Sequence, residues 1–446
     1  KRQYFSLKIE YTLRVKHNLP YIYTDKEVTP WGGMLLIKEF YDRIGMHEQL
    51  VSLPLMEKGS GRGIDHHEII ESFIMSVILG ANNCTAAAQL SYDHVLKEIF
   101  QWEHGMPSQS SLSRFFPKYD GELSDLIFSQ FNQWWHNALD YNNMTLDVDS
   151  TVITRFGEQE GAEVGYNPRY KGRKSHHPIL AFLAEPKMVA NSWIRSGNSA
   201  SNTEFIEFLQ NTFTMVPRHK VSLLRGDSGF CSNKIFRYLE GIALDYIIAA
   251  PMKAGLVDHI LTQKQWLTTQ TKGIDICSFE YKAQGWGKKR RVVVVRKDTL
   301  LLPKSGGKTL FSQQDDYLRY RYSAFVTTSN YSDEIVWKTY NQRADAENQI
   351  KELKYDYNIA GFNFKDMDAT EFAFRWITVA YNLMSYIRNE IMVSKVNHRL
   401  STLRFNCIAI GAYLRTSARK TTLVMAVKGK KRDYIEKLFQ NIERFK

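Results

Sequence analysis

The chain has 446 residues, 43% of them hydrophobic and 13% aromatic, which excludes a disordered protein and suggests two to four packed units at ~100–200 residues each. Lys and Arg number 59 against 47 Asp and Glu, and the formal net charge of +12 suits a polyanionic partner through counterion release. The four cysteines, Cys84, Cys231, Cys277 and Cys407, form no CxxC pair, which argues against a zinc module or a disulfide framework and fits a reducing cytoplasm.

Residues 1–60 mix short strand-like runs with a helix around Met34 to Ile44. No signal peptide is visible, and the longest apolar stretch, Ile69 to Leu79, is well short of the ~20 residues that span a bilayer. Ile69, Ile70, Phe73, Ile74, Val77 and Ile78 recur at helical spacing, and a second helix is predicted from near Thr85. A third, Ser/Gln-rich helix follows Pro107 and reads as a helix-turn-helix element whose Ser110 and Arg114 reach DNA; the plainer alternative is a bundle helix capped by Ser108. A fourth runs from about Glu122 to Ala138, with Ile127, Phe131, Trp134 and Trp135 on its apolar face.

Beyond residue 141 the pattern becomes mixed α/β. Met144 to Asp149 alternates as a strand, and Pro178 to Ala184 pairs with Met188 to Arg195. Glu204 to Phe213 is helical, Val221 to Asp227 is a buried-type strand, Ser232 to Leu239 a helix, and Leu244 to Ala249 a strand. Residues 254–330 read as an all-β insertion, with a hairpin around Gln284-Gly285-Trp286-Gly287 and a strand from Arg319 to Thr328. One long helix is predicted from about Asp333 to Lys354, then an aromatic-rich helix from Glu371 to Ile391, then a basic tail with Lys428-Gly429-Lys430-Lys431-Arg432. The expected units are therefore 1–140, mostly helical and DNA-binding; 141–253, first part of a catalytic core; 254–330, the insertion; 331–392, second part of the core; and 393–446, helical and basic.

The chemistry sits on isolated acids. Asp149 ends the first core strand, with Asp147 on the same face two residues earlier, so either serves as a ligand. Asp227 ends a second strand, flanked by Gly226 and Gly229, at the carboxyl edge where open α/β sheets bind ligands. Taken singly, such an Asp is as well explained by a turn or a cap. On the last core helix Tyr340, Arg343, Glu347 and Lys354 share one face at ~100° per residue, an acid flanked by cations that makes sense beside DNA, with a solvated charged helix of i,i+4 pairs as the plainer alternative. Asp345 and Glu352 lie on the same helix and spacing alone does not exclude them. Hard carboxylate oxygens suit magnesium, and two such ions roughly 3.5–4 Å apart can activate a nucleophile and stabilise a leaving oxygen on phosphorus.

The spacing Tyr340-x-x-Arg343-x-x-x-Glu347-x6-Lys354, after Asp149-Ser150-Thr151 and Asp227, resembles the signature of a large branch of DDE transposases of bacterial insertion sequences. The resemblance covers roughly residues 140–390. It implies a ribonuclease-H-like core with a β-rich insertion and helical N- and C-terminal regions. It implies metal held by Asp149, Asp227 and Glu347, two Mg2+ per site with Mn2+ as a substitute, and cut-and-paste movement of DNA. It implies phosphate contacts by Tyr340, Arg343 and Lys354, and a base stacked on an insertion tryptophan, Trp286 or Trp266, against the alternative of a structural Trp. The partners expected are double-stranded DNA, as terminal inverted repeats and as target, and a second copy of the chain in a homodimer; the setting is the bacterial cytoplasm and nucleoid, with no membrane. The Gly- and Lys/Arg-rich stretch from Gly157 to His177 resembles a loop of one subgroup and has no assigned role.

The run Lys288-Lys289-Arg290-Arg291 reads as a backbone grip, with a solvated turn as the alternative, and Lys171 to Lys174 is similar. The adjacent pairs His66-His67 and His176-His177 point apart and make poor chelates. Two rival functions remain, a transposase-derived DNA-binding protein without catalysis, which the three acids disfavour, and a nuclease that hydrolyses without joining.

Overall fold

The computed structural model describes residues 23–302, 306–309, 319–392, 394 and 396–445. The strand-like runs expected before residue 23 lie outside them. The helical N-terminal region contains α1 (Met34–Arg43), α2 (Met46–Ser52), α3 (His66–Leu79), α4 (Cys84–Gln89), α5 (His94–Phe100), α6 (Gln109–Phe115) and α7 (Gly121–Ala138), preceded by a two-residue strand, β1 (Val28–Thr29). Short polar residues start several of these helices by accepting an otherwise orphaned amide. Asn83 takes Ala86 N at 2.8 Å, Ser108 takes Ser111 N and Asp120 takes Leu123 N. The helix predicted from near Thr85 thus starts at Cys84, with Asn83 as its cap.

The strands of the middle region are β2 (Met144–Ser150), β3 (Ile153–Thr154), β4 (Glu163–Val164), β5 (Lys174–His176), β6 (Ile179–Leu183), β7 (Met188–Trp193), β8 (Val221–Gly226), β9 (Asp245–Ala249), β10 (Leu267–Thr268), β11 (Ile274–Tyr281), β12 (Arg290–Asp298), β13 (Lys308–Thr309) and β14 (Tyr320–Thr327). Between them stand α8 (Phe205–Met215), α9 (Asn233–Gly241) and α10 (Ala254–Leu261). One mixed sheet runs in the order β10-β11-β12-β14-β9-β8-β2-β6-β7, with β13 on β14. Strand β2 is parallel to β8 and antiparallel to β6, and β8 is parallel to β9. The strands of residues 254–330 therefore carry on the central sheet through β14, which pairs with β9. That segment is not all-β, since Ala254, Leu256, Val257, Ile260 and Leu261 recur at helical spacing and form α10.

Alternation along the strands gives the sheet two unlike faces. Leu146, Val148, Leu224, Tyr246, Ile248, Val292 and Val294 pack under α8 to α10 in one apolar cluster. Leu223, Ile247, Val293 and Phe325 on the other face meet Val336 and Trp337 of α11 (Asp333–Asn341). Next come α12 (Ala344–Tyr355) and the 24-residue α13 (Met367–Glu390), which is buried almost all round between the sheet edge and the N-terminal helices. Asn382 of α13 clasps the edge strand β7, accepting from Val189 N at 2.7 Å and donating to Val189 O at 2.8 Å. The clasp occupies backbone groups that an open edge would otherwise offer to another chain.

The last segment has α14 (Leu400–Leu403), the hairpin β15 (Ala412–Ser417) and β16 (Lys420–Met425), and α15 (Lys430–Arg444). It is thus not wholly helical, and β15 pairs with β1 in a second small sheet. Its Thr-, Arg- and Lys-rich strands show no apolar alternation that would mark them in the sequence. Among the described residues no single helix is long and apolar enough to cross a membrane.

Two buried histidines make the fold acid-sensitive. Burial pushes His66 and His136 each down to about 4 from an ordinary 6.5. Below pH 6.5 the unfolded chain takes up protons that the folded chain refuses, so stability present at neutral pH is lost as pH falls toward 4. Unfolding free energies from urea curves at pH 7 and pH 5 are expected to differ by about 2 kcal/mol for His136, with a smaller contribution from His66. The variant His66→Gln/His136→Gln should flatten that pH dependence, and an unaltered slope would exclude these two groups as its source.

Candidate active site

The acids converge on the face of the sheet that carries α11. In β2, Leu146 and Val148 turn to the apolar cluster under α8, so Asp147 and Asp149 turn the other way. Their fates differ. Asp147 is fully buried and takes a two-pronged bond from Arg225 of β8, Nε to Oδ1 and Nη2 to Oδ2, both at 2.6 Å. Its oxygens are committed to that pair. Asp149 keeps 13% side-chain exposure, with Arg343 Nη2 at 3.0 Å from Oδ1. The geometry thus separates two carboxylates that the sequence leaves equivalent.

Arg343 also lies 3.9 Å from Glu347 Oε1, so one guanidinium stands between two acids. Glu347, in the first turn of α12, is 57% exposed. Asp227 follows β8, is half-buried, and caps the next turn by accepting Gly229 N at 2.8 Å. Burial pushes the Asp149 carboxyl up to about 6, Arg343 opposes that, and the negative charges of Asp227 and Glu347 add to the rise. Asp149, Asp227 and Glu347 are therefore electrostatic neighbours although far apart in sequence. Among the described residues no group of three or more His, Cys, Asp or Glu stands close enough together to hold a metal ion. The donor chemistry nevertheless fits a hard divalent cation: carboxylate oxygens, with the Asp149 carboxyl raised in part by the charges of the other two, which a cation would offset.

The helix expected over Asp333 to Lys354 is broken at Gln342 and Arg343. Arg225 Nη1 donates to Thr339 O, and Arg343 N instead bonds Tyr340 O at 3.0 Å in a tighter turn. Tyr340 leans on Phe325 at 4.4 Å between ring centres. Lys354 Nζ donates to Val152 O at 3.0 Å, and burial lowers its pKa. The other two acids of the helix are occupied, with Asp345 3.6 Å from Lys187 and Glu352 buried against Arg388 and accepting Leu400 N.

A cleft of about 530 Å³ opens beside the acids, lined by Ser150, Thr154, Ser201, Asp227 and Lys354 among others. One wall is the 196–204 loop, shaped by a buried residue that sequence reasoning missed. Arg195 donates to His177 O, Ala200 O, Ser201 O and Thr203 O, and burial pushes it down to about 10. No spacing rule marks an arginine whose partners are all carbonyls.

The remaining candidates fall elsewhere. Trp286 is half-buried on the α9 side of the sheet, the face away from Asp149, edge-on to Phe236 at 5.4 Å and to Tyr281 at 6.0 Å. Trp266 is likewise packed, under Arg296 and beside Tyr322. In the basic run, Arg290 is buried on Glu240 and Arg291 is held by Asp333, Ser329 O and Tyr331 O, while Lys288 pairs with Glu240 in solvent and Lys289 is exposed. Two of its four cations are thus structural. Ser110 and Arg114 are exposed on α6, whose Leu112 and Phe115 are buried. Trp286→Ala is expected to cost about 2 kcal/mol in urea unfolding, since half a tryptophan's apolar contact is removed; an unchanged midpoint would mean the ring is free.

No curated protein matches the chain. Among solved structures, a piggyBac transposase synaptic complex with hairpin DNA is loosely similar, at TM-score 0.45 and 11% identity over 86% of this chain and 81% of that one. A family model described as "Transposase DDE domain group 1" matches residues 21–446, nearly the whole length. The chain belongs to that DDE transposase family.

Proposed function

We propose that this protein cleaves DNA at the ends of a mobile element and joins them to target DNA, with Asp149, Asp227 and Glu347 holding divalent magnesium. The carrying observation is that one guanidinium, Arg343, lies 3.0 Å from Asp149 and 3.9 Å from Glu347, while the charge of Asp227 also acts on Asp149 and Asp147 is withdrawn into the Arg225 pair. The core strands β7-β6-β2-β8-β9, with β6 alone antiparallel to both neighbours, are read as ribonuclease-H-like. Bound magnesium supplies a Lewis acid for the phosphodiester and lowers the pKa of the attacking water or hydroxyl.

The chain's own side chains do the rest. Asp149, Asp227 and Glu347 would hold the metal, and Arg343, now paired with Asp149 and Glu347, would take a phosphate oxygen once the cation offsets those carboxylates. Lys354 sits on the cleft wall as a second phosphate contact, and Tyr340, at the adjoining helix end, is assigned a third. Exposed Ser110, Arg114, Lys288 and Lys289 are assigned to duplex backbone away from the cleft. Pairing two ends calls for two copies of the chain, hence a homodimer on DNA. The test is the purified chain with supercoiled plasmid bearing the element's ends and Mg2+. Ends cut at 3′ phosphodiester bonds and captured into a second DNA support the reading; cutting without capture reduces it to a nuclease; binding without either leaves only a DNA-binding protein.

A further inference from the structure

The stretch between Asp149 and β6, in which the sequence assigned a role only to the cations at Lys171 to Lys174, folds into a three-stranded flap in the order β3-β5-β4. Its base is tightly built. A side chain at Gly165 would come within 1.9 Å of Gly197 O, and one at Gly197 within 1.9 Å of Ser175 O. Arg155 donates to His176 Nδ1 and to Ala360 O, and Glu160 is fastened through Lys365 O and Met367 N. Buried Asn167 pins the tip, donating to Thr154 Oγ1 and accepting Tyr170 N.

The tip is the opposite in character. Tyr166 is 73% exposed, Tyr170 42% and Phe156 78%, with Phe156 edge-on to Tyr170 at 6.3 Å. Arg169, Lys171 and Arg173 are exposed beside them, and Arg169 stacks over Tyr170 at 5.5 Å. The acids of the flap are two that are engaged, Glu158 on Lys174 and Glu160 on Met367 N, and Glu163 on the exposed β4. Tyr166, Arg169 and Tyr170 line the same cleft as Asp227 and Lys354. A rigid stalk holding large solvated aromatic rings and cations over a phosphate-handling cleft has no use in packing. Aromatic faces interleaved with cations suit unpaired nucleotides, whose bases offer a π-face whatever their sequence.

We propose that the flap is a strand clamp: Tyr166 and Tyr170 stack unpaired bases of the DNA strand running through the catalytic cleft, while Arg169, Lys171 and Arg173 hold its phosphates. This rests on the transposase reading for the occupant of the cleft. The test measures binding of the full chain, in EDTA so that nothing is cut, to a labelled 30-nucleotide single strand, to a fork with unpaired arms, and to the blunt duplex. Tyr166→Ala/Tyr170→Ala is expected to weaken single-strand and fork binding at least ~10-fold, at the known strength of base stacking on aromatic rings, and duplex binding less than about twofold. Tyr166→Phe/Tyr170→Phe is expected to bind like the parent, because stacking needs the ring and not the hydroxyl. Equal losses on all three DNAs, no loss on any, or a Phe pair as weak as the Ala pair overturns the clamp. Magnesium-dependent cutting by the unaltered chain is followed in parallel. If it cuts while the Ala pair binds forks normally, the clamp falls and the transposase stands; if it binds forks through the tyrosines yet never cuts, the reverse holds; if it binds no DNA, both fall.

Discussion

Glu347→Gln abolishes magnesium-dependent end cleavage, with an expected loss of roughly 10³-fold or more, as removal of several kcal/mol of metal-borne stabilisation requires. The substitution keeps shape and removes one negative charge. Glu347 is more than half exposed and its one ion pair, to Arg343, spans 3.9 Å, so folding stability should stay within about 0.5 kcal/mol. Affinity for DNA should hold or rise, since a repulsive charge beside phosphate is gone. Asp227→Asn follows the same logic, because its cap bond to Gly229 N needs only an oxygen. Cleavage at parental rate in Glu347→Gln would falsify the assignment of the acids.

The second large effect separates neighbours. Asp147→Asn leaves the Arg225 guanidinium buried without its counter-charge, and breaking such a pair typically costs about 3–5 kcal/mol. Asp149→Asn leaves that pair intact and removes one of the two carboxylates facing Arg343, which keeps Glu347 at 3.9 Å, so its expected signature is lost cleavage with a smaller loss of stability than Asp147→Asn. Urea unfolding and a cleavage assay on both variants read this directly. A stable, inactive Asp147→Asn beside an active Asp149→Asn would reverse the two roles.

How much of this was legible beforehand depends on the range of the signal. Met144 to Asp149 and Val221 to Asp227 announce strands through local alternation, and the four signature residues announce a shared face through local spacing. The partners of those residues lie in other segments. Arg225 reaches Asp147 because β8 and β2 are parallel in one particular register, with Asp147 opposite Arg225, and nothing near either residue encodes it. The same arginine takes the Thr339 carbonyl, which breaks the helix at Gln342 in a stretch with no Pro or Gly to warn of it. The basic run at 288–291 shows the converse error: local composition suggests a solvated grip, while Glu240 and Asp333, distant in sequence, use up two of its cations.

The pairing of β14 with β9 has a consequence for how such a chain can be shortened. Phe325 faces Ala249 and Thr327 faces Ile247, so these two strands are the arms of an antiparallel ribbon whose bend is replaced by some seventy residues. A short turn of about two to five residues is enough to join such arms. Everything from α10 through β13 is thus an outgrowth at the tip of a hairpin, and its size is free to vary without displacing Asp227, which lies one strand further in.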